Sequence, residues 1–317
     1  MKFVHADPEF RDLISIVANA QGIAEALVEK DYWVTHTLWA LQQEGLEVWF
    51  KGGTNLSKGF GLIQRFSEDL DLKIEGGRNP LPQVRNWKSK ERGPTGERRA
   101  FFDAVAALPL RELSLRLDRA SLGARCLNAG IEARYPGHHL GGLPKSMRPF
   151  VLLEVGDARV KPFVERPITS WVHEHLTKTG MAGGYLDNRP LLVKCIHPTV
   201  TLIEKLDAIS RRFQAGASAV QYVRHFEDAA HIILAEEYLP FLEVSPRALA
   251  QEMFVEKQIR QIPSPTDPAF QPSDQEPWPL IRNALEAIGP MFWGPRIELE
   301  EAMQTIRTWT QNLSAGS

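Results

Sequence analysis

Between residues 46 and 71 the chain reads Leu46-Glu-Val-Trp-Phe50, then Lys51-Gly-Gly-Thr-Asn-Leu-Ser-Lys58, then Arg65-Phe-Ser-Glu-Asp-Leu-Asp71. This run constrains the fold more than any other. The first five residues are rich in strand formers. They deliver the chain to Gly52-Gly53, where the backbone can adopt a positive φ or approach a ligand closely. Leu56 to Phe60 reads as a short helix leaving that turn. Asp69 to Ile74 reads as a second strand. It places Asp69, Asp71 and Lys73 on one face and Leu70, Leu72 and Ile74 on the other.

Two carboxylates side by side on one strand face repel each other. A divalent cation such as Mg²⁺ or Mn²⁺ removes the repulsion and can at the same time hold a nucleotide triphosphate. Asp69 and Asp71 are therefore candidate metal ligands and catalytic residues. Backbone N–H groups of Gly52 and Gly53 at a helix start can cradle phosphate oxygens. Thr54, Ser57 and Ser67 add hydroxyl donors, and Lys58 and Arg65 complete the candidate nucleotide-binding set. This is not a Walker A loop, because Lys58 is followed by Gly59 rather than Ser or Thr. A third carboxylate usually completes the metal site of such a strand pair. Glu154, alone among the apolar residues of Phe150-Val-Leu-Leu-Glu-Val155, is the candidate, since an uncompensated acid in a core strand is costly.

The chain divides by pattern into a mixed α/β part, 1–195, and a helical part, 196–317. In the first part, helices are expected over residues 8–29, 29–43 and 99–108, and β-structure over 112–135 and 150–155. In the second, they are expected over 199–213, 219–237, 279–288 and 297–312, with a proline-rich connector at 262–278. The fold class is α+β, with a mixed sheet and a helical C-terminal lobe. Lys205 lies beside the buried stripe Leu202, Leu206, Ile209, where it can reach a cleft and neutralise a triphosphate. Asp228, on the apolar helix that follows Arg224, can orient Lys205 or an arginine.

Other chemistries find little support. The two cysteines, Cys126 and Cys195, have no CxxC spacing, which argues against disulfide or zinc frameworks. His173 with His175, and Cys195 with His197, do not supply four zinc ligands. No G-x-S-x-G occurs. No apolar run approaches the ~20 residues of a membrane span, and no signal peptide is evident, so a cytoplasmic protein with no membrane partner is expected. The formal net charge is −2, so nucleic-acid contact requires a local patch. Residues 84–99 offer one: Arg85, Lys88, Lys90, Arg92, Arg98 and Arg99 against Glu91 and Glu97, a local net of +4.

The glycine turn and the D-x-D strand, taken with Val28-Glu-Lys-Asp-Tyr-Trp33, Val151-Leu-Leu-Glu-Val-Gly156, His197-Pro-Thr-Val-Thr-Leu-Ile-Glu-Lys-Leu206 and Arg224-His-Phe-Glu-Asp228, resemble the AbiEii/MenT-like nucleotidyltransferase toxins of the DNA polymerase β-like superfamily. The resemblance runs over about residues 28–235. It implies a largely monomeric toxin of a bacterial toxin–antitoxin or phage-defence system, with an antitoxin from a neighbouring gene as partner. The family's Ser-x-Asp falls on Ser67 and Asp69, its helical lysine on Lys205 and its helical aspartate on Asp228. Some members transfer nucleotides from an NTP to the 3′ end of tRNA, which stops translation. Two alternatives keep part of this picture: transfer to a protein or small molecule, or a nucleotide-binding module without turnover. Residues after about 240 match no motif and are open to a role in substrate or antitoxin specificity.

Overall fold

The computed structural model describes residues 1–67, 69–143 and 147–314. The chain forms two compact units. One comprises Met1–Gly59, Ser67–Val160 and Glu165–Cys195; the other comprises Phe60–Phe66, Lys161–Val164 and Ile196–Ser317. Two short pieces of the N-terminal part thus group with the helical residues.

In the first unit, α1 (Phe10–Gln21) buries Phe10, Ile14, Val17 and Ala18, a stripe at helical spacing, and ends at Gly22 with φ 66°. This places the helix break at 22–24 rather than at Glu29. The next helix, α2 (Glu25–Gln43), is buried almost all round. Its polar residues are held by partners distant in sequence. Glu29 accepts the backbone N–H groups of His138 and His139, and Lys30 Nζ donates to the Arg148 carbonyl at 2.7 Å. Asp31 pairs with Lys58 and accepts from Trp171 N–H. Charges this deep are stable only because each is paired.

After α2 come β1 (Glu47–Lys51), the one-turn α3 (Gly52–Thr54) with a π-turn continuing through Asn55–Gly59, and β2 (Asp69–Glu75). They are followed by α4 (Arg92–Ala106), β3 (Ser114–Asp118), β4 (Asn128–Arg134), β5 (Val151–Gly156), β6 (Phe163–Arg166), α5 (Trp171–Lys178) and β7 (Val193–Ile196). The sheet order is β3-β4-β5-β2-β1-β7-β6. β1 runs antiparallel to β2 and parallel to β7; β2 runs parallel to β5; β4 is antiparallel to both neighbours. The α+β class with a mixed sheet is what the sequence patterns indicated. β6, α5 and β7 carried no signal strong enough to read.

The helix expected from Arg99 begins instead at Arg92. Its anchor is Arg98, fully buried, whose guanidinium donates to the carbonyls of Asn86, Trp87, Ser89 and Arg125. Arg85 is paired with Glu97. The +4 stretch is therefore less basic at its surface than its composition indicates, because Arg98 is a loop clamp rather than a phosphate contact.

The second unit contains α6 (Pro198–Gln214), α7 (Arg224–Leu234), α8 (Pro246–Val255), α9 (Trp278–Ala287) and α10 (Leu299–Ser314). α8 falls where no helix was expected. α7 is shorter than the expected 219–237, because Ala219–Gln221 and Glu236–Tyr238 are separate single turns. No described helix is long and apolar enough to cross a membrane.

Candidate active site

The sheet register assembles the site. Five residues stand in one row across five strands: Lys51 opposite Asp71, Asp71 opposite Glu154, Glu154 opposite Gly130, and Gly130 opposite Asp118. Directly paired residues share a sheet face, so Asp71 and Glu154 stand side by side. Asp69, two residues earlier on β2, shares that face. The alternation of β2 matches the expected one, with Leu70, Leu72 and Ile74 buried and Asp69, Asp71 and Lys73 half-exposed.

Glu154 feels the crowding. Partial desolvation first, then the charges of Asp71 and Asp69, push its carboxyl up to about 7, although Glu154 is the exposed residue of β5. Arg148 Nη1 donates to Asp69 Oδ1 at 2.9 Å. Among the described residues no three of His, Cys, Asp and Glu converge into a ready-made metal cage. The donor set of Asp69, Asp71 and Glu154 is hard oxygen crowded on one sheet face, a chemistry that fits a divalent cation.

This crowding has a pH signature. A carboxyl whose folded pKa is raised keeps its proton where the unfolded chain has lost it. The stability tied to Glu154 is then fully present below about pH 4.5 and is lost as pH rises toward 7. Discounted for its partial exposure, Glu154→Gln should stabilise the metal-free protein at pH 8 by about 1–2 kcal/mol and have little effect at pH 4.5. Denaturant titrations of both proteins in chelator at the two pH values measure this. An equal difference at both would show that Glu154 is not crowded.

Gly52 adopts φ 74°, in the left-handed region. A methyl group on it would overlap Oδ2 of Asp71. The glycine is needed so that the turn can lie directly against the Asp71 carboxylate. Gly52→Ala should cost about 1–2 kcal/mol from the backbone alone and displace Asp71 as well. Gly61→Ala is the control, since Gly61 has φ 66° with nothing within 4 Å of an added Cβ. Thermal melts should show both losses of stability, and only Gly52→Ala should also lose, by roughly tenfold or more, any activity that depends on Asp71.

The remaining residues of the turn divide into two sets. Gly52 and Gly53 open α3, and the Ser57 hydroxyl donates to the Thr54 carbonyl at 3.1 Å. The buried Thr54 hydroxyl lies 2.6 Å from the Asp69 carbonyl and 3.0 Å from that of Ser67, fastening the turn to β2. Lys58 is neutralised by Asp31. Arg65 is grouped elsewhere, in the second unit. There Asp228, buried on α7, accepts from Arg65 Nε and Nη2, both at 2.7 Å, and from Lys205 Nζ at 2.7 Å. Burial pushes the Asp228 carboxyl up, but Arg65 and Lys205 beside it hold it well below the usual carboxylate range. Burial lowers Lys205, and Asp228 opposes that. His225 is driven down to about 3 by burial and by Lys205; it accepts from Arg212 at Nε2, 2.9 Å away.

Sequence reasoning missed Arg148, which lies in no motif, and gave no role to Asp31, inside the Val28–Trp33 run, or to Glu227. Buried Glu227 accepts from Arg296 Nε and Ile297 N–H, tying α7 to the segment before α10. His173 and Cys195 are core residues. His173 bonds Asn188 and Ser170, and burial pushes the Cys195 thiol up to about 12.

A cavity of about 400 Å³ opens on the sheet beside the acids, lined among others by Asp71, Glu154, Arg148, Asp118, Asn128 and Phe150.

Residues 37–304 match the family model described as Nucleotidyl transferase AbiEii toxin, Type IV TA system. The match extends well past residue 235 and takes in the region after 240, which on its motifs alone resembled nothing. No curated protein matches the chain.

Proposed function

Since the chain belongs to the AbiEii family of nucleotidyl transferase toxins of type IV toxin–antitoxin systems, we propose that it transfers nucleotides from an NTP to RNA, most directly the 3′ acceptor end of tRNA, and thereby blocks translation. The observation that carries this reading is the crowding of Asp69, Asp71 and Glu154 on one face beside the Gly52 turn. When bound, a divalent ion held by these three would act as a Lewis acid toward the α-phosphate and orient the triphosphate.

The chain's own residues do the rest. Gly52, Gly53, Ser57 and Ser67 donate to phosphate oxygens, and Thr54 keeps the turn seated on β2. A terminal hydroxyl oxygen of the acceptor forms the new bond to the α-phosphorus. The α–β P–O bond breaks, pyrophosphate leaves with the electron pair, and the hydroxyl proton passes to solvent. Lys205 supplies charge compensation for the departing pyrophosphate, and Asp228 is the positioning residue that holds Lys205 and Arg65. A monomer in the cytoplasm, countered by an antitoxin from a neighbouring gene, belongs to the same reading.

The test is incubation of the protein with total tRNA, Mg²⁺ and each labelled NTP, beside Asp69→Ala. Label on tRNA that is lost in the variant supports the reading. No label, or equal label in both, overturns it. Label on added protein or on an aminoglycoside moves the acceptor to another class.

A further inference from the structure

The row of paired residues does not end at the acids. Beyond Glu154 it continues through Gly130 on β4 to Asp118 on β3, two strand spacings or about 10 Å away. Gly130 has no side chain to fill the trough, and an added Cβ there would meet Leu152 and Ser121 Oγ at 3.3 Å. This glycine floor lies within the 400 Å³ cavity, with Phe150 and Leu152 as apolar lining and Asp118, Ser121 and Asn128 as polar lining. A pocket of this size and mixed character suits one nucleoside.

The direction of the row assigns the occupant. The Gly52-Gly53 turn continues from Lys51, at the β1 end of the row, so phosphates belong on that side of Asp71. The cavity extends to the other side of Glu154, where an attacking group rather than a leaving group must stand. The local charges agree. Glu132 in the lining is already neutralised by Arg116 and Arg134, and Asp157 by Lys73. Asp118 has no ion pair among the described residues; its Oδ1 accepts Ala120 N–H at 3.1 Å, which leaves Oδ2 for a ligand. A carboxylate there repels phosphate and accepts from N–H or O–H.

Resting on the RNA-transfer reading above, we propose that this cavity seats the terminal nucleoside of the RNA acceptor, and that Asp118 with Asn128 selects a base whose Watson–Crick edge sets an exocyclic amine beside an accepting ring nitrogen. A carboxylate only accepts, whereas the Asn128 amide both donates and accepts. Together they match an amine with a ring acceptor beside it, as in adenine or cytosine. Uracil would present a carbonyl oxygen to Asp118.

The experiment uses short RNAs identical except for a 3′ A, C, G or U, with wild-type protein, Asp118→Asn and Asn128→Ala. Two quantities are read: equilibrium binding of each RNA without NTP, and the transfer KM for RNA and for NTP separately. Wild type should bind and use the A and C ends roughly tenfold better than the U end. Asp118→Asn, whose amide can donate to a carbonyl, should erase or reverse that preference while leaving the NTP KM unchanged. Equal use of all four ends by wild type overturns the proposal. So does a change in which NTP is used, since the cavity would then hold the incoming nucleotide. Binding of a cationic aminoglycoside that Asp118→Asn abolishes, without RNA discrimination, also overturns it and identifies a small-molecule acceptor. If wild type discriminates among RNA ends in binding but transfers nothing to any of them, the RNA-transfer reading fails while the pocket's selectivity stands. If it labels RNA without discrimination, that reading stands and the pocket assignment fails.

Discussion

Asp71→Ala should abolish nucleotide transfer while leaving the protein at least as stable as wild type at pH 8 without metal. The loss should be on the order of a thousandfold or more, because a metal-held phosphate contributes several kcal/mol to the transition state. The gain in stability comes from the neighbour. Asp71's charge is among the causes that push the Glu154 carboxyl up to about 7, and removing it relieves a repulsion the fold otherwise bears. Mg²⁺ should raise the melting temperature of wild type and should raise that of the variant much less. Three measurements decide the matter: transfer to labelled acceptor, melting in chelator, and melting with Mg²⁺. A variant that is inactive and also strongly destabilised in chelator would mark Asp71 as a structural residue instead.

The second large effect lies in the helical unit. Asp228→Ala should cost about 3–5 kcal/mol of stability, because it strands the Arg65 guanidinium and the Lys205 ammonium in a buried site. Arg65 is 3 % exposed and Lys205 7 %, so water cannot take over from the missing carboxylate. Lys205→Met should behave differently. It leaves the bidentate Arg65–Asp228 pair intact and removes a cation that burial disfavours. Its stability should stay within about 1 kcal/mol of wild type, while transfer falls by at least about 100-fold, the loss expected when a charge on a departing phosphate goes uncompensated. Denaturant unfolding and turnover measured on the same preparations separate the two roles. Wild-type turnover in Lys205→Met would make the lysine a purely structural counter-ion.

Much of the candidate site is legible in the sequence, and for a local reason. A strand alternates its side chains every residue, so Asp69 and Asp71 could be placed on one face from spacing alone. Glu154 stood out as a single acid in an apolar strand, by the cost of burying charge, yet it is the exposed residue of β5, and it is the strand register that sets it beside Asp71. Pattern was a poorer guide where burial overrode it. Arg98 read as part of a solvated basic stretch, yet it is fully buried and clamps four carbonyls. Arg65 read as a phosphate ligand, yet its guanidinium is turned onto Asp228, 163 residues away in sequence. Lys58 read the same way and is paired with Asp31 on α2. Nothing adjacent to these residues reveals such partners.

Local preference alone is enough to set out the candidate catalytic elements: the strand, the glycine turn and the D-x-D, together with the helical stripe beside Lys205. These depend on dihedral preference and periodicity, which act over a few residues. Tertiary structure alone decided the register that sets Asp71 beside Glu154 and leaves Gly130 as an open floor, the contact of Arg148 with Asp69, and the sharing of Asp228 between Arg65 and Lys205. Register and burial depend on groups far apart in the chain competing for the same desolvated space, and that competition has no outcome until the chain has packed.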